Sequence, residues 1–388
     1  MLRYFTAGES HGEALVAFLS GLPAGLKVDQ GFLDRELWRR QQGYGRGGRM
    51  KIERDTAHIL SGVHHGITIG SPISVQLENK DWKNWQESLP VGEGDPARHK
   101  RVASPRPGHA DLAGALKYNF PEARYVLERA SARESAARVA VGALAKTFLC
   151  QLGVDVLSHV VAVGNVAMPQ EVSWEQIQAL YNQEEILLNC ADPDIQQRMK
   201  DEVDKVYKTG DSLGGVFEVV AHGVPAGLGS HIAWDTRLDG KLAQAIVSMQ
   251  AVKGVEVGFA ADGAASFGSK VQDTIHYNKD ERKFSRGANR AGGLEGGMTN
   301  GQDIVVRGLL KPISTLRRPL ESVDLATREP ALVAYERSDV AVVPAAGVIG
   351  EAMVAIVLAG AAIEKFGGDS LKEMKRNFEG YLEQVTNF

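Results

Sequence analysis

The sequence predicts an α+β fold built as one unit. Two observations carry that prediction: a strand–turn–helix–strand pattern that occurs twice in the same order, and two helical segments of small and apolar residues suited to a crowded layer between sheets. The first strand-like run, Ala14 to Leu19, leads into Gly21-Leu22-Pro23-Ala24-Gly25-Leu26, and the hexad returns as Gly223-Val224-Pro225-Ala226-Gly227-Leu228 after a second such run, Gly215 to Ala221. Downstream, G-x-T-x-G-x-x-I-x-V appears in both copies, from Gly66 through Thr68 to Val75 and from Gly297 through Thr299 to Val306. Each copy places an Asp-led helical segment between its motifs, Asp34 to Gln41 and then Asp239 to Val247, and the second holds 29 more residues between the landmarks. The pattern reads as a diverged duplication, roughly residues 1–150 and 210–365 of a single domain spanning 1–388; two unrelated Gly-Pro turns with a chance strand match are the alternative.

Helical spacing of apolar residues marks Ser131 to Leu149, Pro193 to Lys208, Leu238 to Met249, Pro344 to Glu364 and Ser370 to Gln384. The first and fourth are rich in Ala, Val and Gly. Val340 to Ile363 is apolar enough to suggest a membrane span, but Pro344, Glu351 and several glycines fit a buried helix starting at Pro344 better, because a central Glu is penalised in a bilayer. Glu184 to Lys205 holds seven acids against three bases and reads as a solvated face.

With 388 residues, 44% hydrophobic and 24% charged, the chain can bury a sizeable core and lies outside the disordered range. A net charge of −4 argues against a general nucleic-acid coat. Cys150 and Cys190 show neither CxxC spacing nor a disulfide-rich pattern, which fits a reducing compartment and no structural zinc. The N-terminus carries Arg3, Gly8 and Glu9 where a signal peptide needs an apolar run, so a cytoplasmic location is expected.

Basic charge is unevenly spread. Arg39, Arg40, Arg46, Arg49 and Lys51 occur without an intervening acid around Gly43-Tyr44-Gly45 and Gly47-Gly48. Glycines let a backbone approach a ligand, and guanidinium forks suit carboxylate and phosphate oxygens. Taken alone, such a loop is as readily a solvated basic turn. Further clusters tip the balance: Arg98 to Arg106 before Pro107-Gly108-His109-Ala110-Asp111, Arg129 and Arg133, Lys311 to Thr315 followed by Arg317 and Arg318, and Arg337. Several Arg clusters on separate Gly- or Pro-bounded loops imply convergence on one highly anionic small molecule. Of the ten histidines, His11 in Gly8-Glu9-Ser10-His11-Gly12 and His109 stand out, each in a short turn beside hydroxyl or carboxylate groups that can orient an imidazole. Turn histidines are common, and most carry no chemistry. Ser10 lacks a nucleophile-elbow frame, His64-His65 lacks a carboxylate at ligand spacing, and no Walker or Rossmann glycine loop opens a helix.

Gly8 to Gly12, Gly43 to Arg49, Arg106 to Asp111, Ser131-Ala132-Arg133-Glu134 and Arg337-Ser338-Asp339 together resemble the chorismate synthase family, in order and over nearly the whole chain. The resemblance implies conversion of 5-enolpyruvylshikimate 3-phosphate to chorismate and phosphate by a 1,4-anti elimination that requires reduced FMN with no net redox change. It implies that Ser10, Arg40, Arg46, Arg49, Arg106, Ser131, Arg133 and Arg337 hold substrate anions. FMN contacts are implied for Arg129, Ala130, Ser131, Gln250, Ala251, Gly296, Lys311, Pro312, Ile313, Ser314, Thr315 and Arg337, with Gln250 standing where related sequences usually have Asn. The implied catalytic groups are His11 as general acid for the departing phosphate, His109 for the protonation state of the reduced flavin, and Asp339 near the flavin N5; no metal is implied. The implied fold is a β-α-β sandwich with helices between two antiparallel sheets and a pseudo-twofold duplication, assembled as a homotetramer. NADPH enters as an indirect reductant through an external flavin reductase, since no reductase-sized domain is visible; no nucleic-acid or membrane partner is expected. Two other readings stay open on the residues alone: an RGG-like RNA binder, and an FMN-dependent oxidoreductase acting on an anionic small molecule.

Overall fold

The computed structural model describes residues 1–47, 54–333 and 339–388. Strands β1 (Arg3–Ala7), β2 (Ala14–Ser20), β3 (His58–Ser61) and β4 (Ile73–Glu78) form an antiparallel sheet in the order β1-β2-β4-β3. Period-two alternation sends Leu15, Ala17 and Leu19 of β2 and Ile73, Val75 and Leu77 of β4 to the buried face. Between β2 and β3 runs α1 (Gln30–Gln41), started by Asp29, whose carboxylate accepts from the Gly31 and Phe32 amides. Helices α2 (Asp111–Tyr118), α3 (Arg124–Ala130) and α4 (Ser135–Cys150) follow.

The second sheet comprises β5 (Asp155–Val163), β6 (Gly215–His222), β7 (Val252–Val257) and β8 (Ile304–Leu310), antiparallel in the order β7-β8-β6-β5, with Val166–Ala167 added outside β5. Helix α5 (Pro193–Thr209) precedes β6 and α6 (Leu238–Val247) follows it, while α7 (Val343–Phe366) and α8 (Leu371–Thr386) close the chain. The order β1-β2-β4-β3 of the first sheet is matched by β5-β6-β8-β7 of the second, each with a helix after its second strand.

The repeated motifs make the same hydrogen bonds in both places. Thr68 Oγ1 donates to the Pro23 carbonyl at 2.7 Å and accepts from the Leu26 amide at 2.9 Å; Thr299 Oγ1 donates to the Pro225 carbonyl at 2.6 Å and accepts from the Leu228 amide at 2.8 Å. The Gly25 and Gly227 amides donate to the carbonyls of these two threonines, both at 2.8 Å. A buried hydroxyl closing the Gly-Pro turn is therefore what the T of G-x-T-x-G supplies.

Helix α4 packs on β2 and β4, α7 packs on β5 and β6, and the two helices pack on each other. Small residues permit this: a Cβ on Gly142 of α4 would lie 2.2 Å from the Ala352 Cβ of α7, and one on Gly350 would lie 2.5 Å from the Phe217 ring of β6. The apolar segment that begins near Val340 is thus largely the core helix α7, which is long and apolar enough to cross a membrane yet mostly buried here. Predicted helices appear with shifted ends. The segment from Ser131 opens as a short 3-10 turn, Ala132–Glu134, before α4, and Ser370 caps α8 instead of lying inside it.

Glu351 of α7 is fully buried, and Arg39 of α1 grips it with two guanidinium nitrogens at 2.6 and 2.7 Å. Lys146 of α4 donates to Glu351 at 2.7 Å and to Glu36 at 2.6 Å, and the Ser158 hydroxyl of β5 donates to Glu351 at 2.6 Å. Burial alone would raise the Glu351 carboxyl, but Arg39 and Lys146 outweigh it and hold it below its ordinary value. Arg39, expected from the sequence in a cationic anion-binding stretch, is instead a core residue, because its partner lies 312 positions away. The acidic run from Glu184 also does more than face solvent: Asp204 of α5 accepts from the Tyr44 hydroxyl at 2.7 Å, tying the Gly43–Gly47 loop to α5.

Removing one partner of a buried ion cluster typically costs about 3–5 kcal/mol, because it strands the remaining charges. Glu351→Gln should lower unfolding free energy by about that amount in urea titrations. A loss below about 1 kcal/mol would mean the cluster is not structural.

Candidate active site

The Gly8–Gly12 turn joins β1 to β2, and Gly8 sits at φ +100° with the Ala14 carbonyl only 2.4 Å from where a Cβ would be. Glycine is required there. The turn is held from two sides. Asn79, just past β4, donates from its amide to the Glu9 and Gly12 carbonyls at 3.1 and 2.8 Å. Glu128 of α3 takes the other side: its carbonyl accepts from the Ser10 amide at 2.9 Å, its Oε2 accepts from the His11 amide at 2.8 Å, and its Oε1 lies 2.8 Å from His11 Nδ1. Trp85 stacks on the imidazole at 3.9 Å between centroids and 27° between planes. The Ser131 hydroxyl donates to the Ser10 hydroxyl at 3.1 Å, bringing both predicted serines together.

Behind this turn lies a buried trio. Arg133 donates from Nε to Asn79 Oδ1 at 2.8 Å and grips Asp55 at 2.6 and 2.8 Å, while Arg40 reaches the same carboxylate at 2.6 Å. Asp55 therefore holds two buried guanidiniums at once. Burial, reinforced by the neighbouring Arg133 charge and opposed by Asp55, pushes Arg40 down to about 10. Its Nε has no hydrogen-bond partner among the described residues. A buried guanidinium with an unused donor is suited to an anion.

A second cluster forms at the start of α2. Fully buried Asp111 accepts from Arg106 Nε at 2.8 Å, from Arg106 Nη2 at 3.0 Å and from the Arg106 amide at 3.0 Å, and its Oδ1 lies 2.5 Å from His109 Nδ1. Burial raises the Asp111 carboxyl, yet the bonds from His109 and Arg106 carry it well below the carboxylate range. The Lys311–Thr315 loop docks here: Ser314 Oγ donates to the Gly108 carbonyl at 2.9 Å, Lys311 Nζ donates to Ser314 Oγ at 3.0 Å, and Arg106 Nη1 donates to Thr315 Oγ1 at 3.2 Å. The Ile313 carbonyl accepts from Ser212 at 2.8 Å, and Lys311 Nζ also approaches the Pro312 carbonyl at 3.4 Å. Burial and the Lys253 charge lower the Lys311 ammonium. A cavity of about 550 Å³ opens beside Arg106, His109, Leu112 and Ser322.

A third group links the two. Arg129 donates to the Thr6 carbonyl at 2.8 Å and the Gly8 carbonyl at 3.2 Å, and Gln250 donates to Glu134 at 3.1 Å. With Tyr4, Thr6 and Arg138, these residues line a cavity of about 360 Å³. Ala251, left-handed at φ +67°, accepts from the Lys311 amide at 3.0 Å and so joins this cavity to the second cluster. Ala130 ends α3 directly before Ser131. Lys311, Ser314, Thr315, Arg129 and Gln250 form a donor set that could hold an anionic cofactor.

Asp339 pairs with Arg46 at 3.1 Å and accepts from the Gly47 amide, so the Arg46 loop and the segment before α7 meet. Gly296 lies in the turn between Leu294–Glu295 and Met298–Thr299 beside His231, and among the described residues no contact joins it to His11 or His109. Arg49 and Arg337 fall outside the described residues. Sequence reasoning did not assign Glu128, Trp85, Asn79 or Asp55. Glu128 had a signal, as an acid flanking Arg129 in a segment that otherwise looked cationic; Trp85 and Asn79 had none at the motif level.

Asp55, Asp111, Glu128 and Glu134 all lie below their ordinary carboxyl values in the fold, each because neighbouring cations or hydrogen-bond donors outweigh burial. Such groups stabilise fully above the unfolded value of about 4 and lose that contribution as pH falls through the folded values. Thermal midpoints should therefore drop steadily below about pH 4.5, and Asp55→Asn should flatten part of the slope while lowering the midpoint at neutral pH. A midpoint unchanged down to about pH 3 would contradict this ion-pair geometry.

The family model described as Chorismate synthase matches residues 2–363. Chorismate synthase of Solibacter usitatus is 69% identical over 389 residues, that of Koribacter versatilis 68% over 393, and that of Geobacter sulfurreducens 52% over 401, each covering 100% of both chains. A solved structure described as the crystal structure of chorismate synthase is similar at TM-score 0.80 and 41% identity, over 100% of this chain and 99% of that one. Family match, full-length identity and shared fold agree: the chain belongs to the chorismate synthase family, a lyase of the shikimate pathway.

Proposed function

We propose that this chain eliminates phosphate from 5-enolpyruvylshikimate 3-phosphate to give chorismate, using reduced FMN, at the surface where the Ser10–His11 turn, the Arg40–Asp55–Arg133 trio and the Arg106–His109–Asp111 cluster meet the Lys311–Thr315 loop. The carrying observation is the pair of buried guanidiniums, Arg40 and Arg133, that share the Asp55 carboxylate behind His11, with Arg40 Nε without a hydrogen-bond partner among the described residues. The substrate offers two carboxylates and a phosphate, which match the arginines in charge and in fork geometry. Arg46, Arg49, Arg106 and Arg337 complete the anion-binding set, with Ser10 and Ser131 as hydroxyl donors.

The residues fit FMN. An ammonium and two hydroxyls from Lys311, Ser314 and Thr315 suit a phosphate, and the cavity carrying Arg129 and Gln250 offers polar edges to a flat ring. When bound, reduced FMN supplies the reducing chemistry of the elimination without net redox change. The side chains handle protons. His11 donates one to the departing phosphate; His109, held at Nδ1 by Asp111, maintains a proton near the cofactor; Asp339, oriented by Arg46 and the Gly47 amide, would tune or deprotonate the flavin N5 region. Walls that exclude water strengthen each contact.

The two sheets of matching order, with α4 and α7 between them, support a β-α-β sandwich made of two intertwined repeats in one domain. The paired Thr68 and Thr299 hydrogen bonds support the duplication, and superposition of residues 21–75 on 223–306 tests it. Assembly as a homotetramer, a cytoplasmic location, and NADPH acting through an external flavin reductase complete the reading.

Anaerobic protein given reduced FMN and substrate should release phosphate with the flavin still reduced at the end; stoichiometric flavin oxidation would instead mark an oxidoreductase. With excess reduced FMN, His11→Ala and His109→Ala should each slow turnover by about 100- to 10,000-fold. Near wild-type turnover in both would remove their roles.

A further inference from the structure

Glu128 turns its whole functional inventory toward the Ser10–His11 turn. Its side chain is 3% exposed, both carboxylate oxygens face His11, and its carbonyl holds Ser10. The histidine it grips sits among cations. Arg124 of α3 lies 3.4 Å from Glu128 Oε1 and 5.2 Å from the Trp85 ring, and Lys100 Nζ lies 3.9 Å from the same ring. We propose that Glu128 is the positioning residue for His11: it fixes the ring, keeps the proton on Nδ1, and stabilises the imidazolium whose Nε2 gives up the proton in phosphate departure. The inference deepens the proposed reaction and rests on His11 being its acid.

A carboxylate at one imidazole nitrogen selects the tautomer protonated there and commits the other nitrogen to chemistry. It also places an opposite charge beside the ring. The Trp85 face works in the same direction, because a π-face attracts a cation. Burial would raise the Glu128 carboxyl, but its hydrogen bond and charge interaction with His11, followed by the Arg124 charge, hold it below the ordinary value, so it remains a carboxylate at neutral pH. In the step itself, the Nε2 proton passes to a phosphate oxygen as the carbon–oxygen bond breaks and its electron pair leaves with the phosphate. Neutral His11 is left with Nδ1–H still bonded to Glu128.

Steady-state turnover under anaerobic conditions with reduced FMN tests this. Glu128→Gln should lower kcat by about 100-fold with KM within about threefold, and should move the alkaline limb of the pH profile at least about one unit toward acid. Glu128→Asp, which keeps the charge, should hold that limb near its wild-type position. In a His11→Ala background, adding Glu128→Gln should cost no further activity. A wild-type pH profile for Glu128→Gln, an equal shift in Glu128→Asp, or a further tenfold loss on top of His11→Ala would each overturn the proposal while leaving His11 as the acid. Wild-type turnover in His11→Ala alone would overturn the reading of His11 itself and this proposal with it. Circular dichroism of each variant separates these effects from unfolding, and Glu128→Asp with the His11→Ala cycle still decides the matter if Glu128→Gln does not fold.

Discussion

Buried cationic charge must be answered inside the molecule, and that constraint organises both the core and the site. Arg39, Lys146, Arg40 and Arg133 are all buried. Left alone, each would cost several kcal/mol in desolvation. Around Arg39 and Lys146 the charges balance: Glu36 and Glu351 supply two carboxylates for two cations, and Ser158 takes a remaining lone pair. Around Arg40 and Arg133, one carboxylate, Asp55, holds both guanidiniums. The two clusters grow from adjacent residues on α1, so one helix carries both the core anchor and the trio behind the His11 turn. The first holds α1 to α4 and α7; the second is the proposed anion seat.

The two halves of the chain feed this seat from matching junctions. After β4 comes Asn79, which holds the His11 turn and Arg133; after β8 comes Lys311, which opens the loop beside His109. Ser131 and Arg133 precede α4, as Asp339 precedes α7. Arg40 closes α1, and Gln250 follows α6. Loops from corresponding ends of two sheets of matching order carry these residues, so a chain of nearly balanced charge can concentrate arginines locally without becoming a polyelectrolyte.

Local rules made much of this legible. The hexads, the G-x-T-x-G motifs and the Ala/Gly-rich helices rest on turn chemistry and periodicity, and they led to β2, β6, α4 and α7 with ends shifted by a few residues. The Ser10–His11 turn, the Arg106–Asp111 segment and the Lys311–Thr315 loop were likewise visible as short motifs. What was not legible is what long-range pairing decides. Arg39 looked like its neighbour Arg40 until Glu351 arrived from α7, although a lone Glu in an apolar helix is itself a sign that a buried cation waits for it. Trp85 comes from a stretch without motif, and its stacking on His11 follows only from tertiary approach. Asp55 stood close to the basic tract yet carried no pattern that named it as the partner of two arginines.

The account stands or falls on the Arg40–Asp55–Arg133 trio as an anion seat. Calorimetric titration of 5-enolpyruvylshikimate 3-phosphate into the wild-type protein and into folded Arg40→Gln measures it directly. A seat of this kind predicts at least about tenfold weaker binding in the variant, since tenfold is only about 1.4 kcal/mol and a charge-assisted hydrogen bond contributes more than that. Equal affinity in the two proteins would show that the anion binds elsewhere.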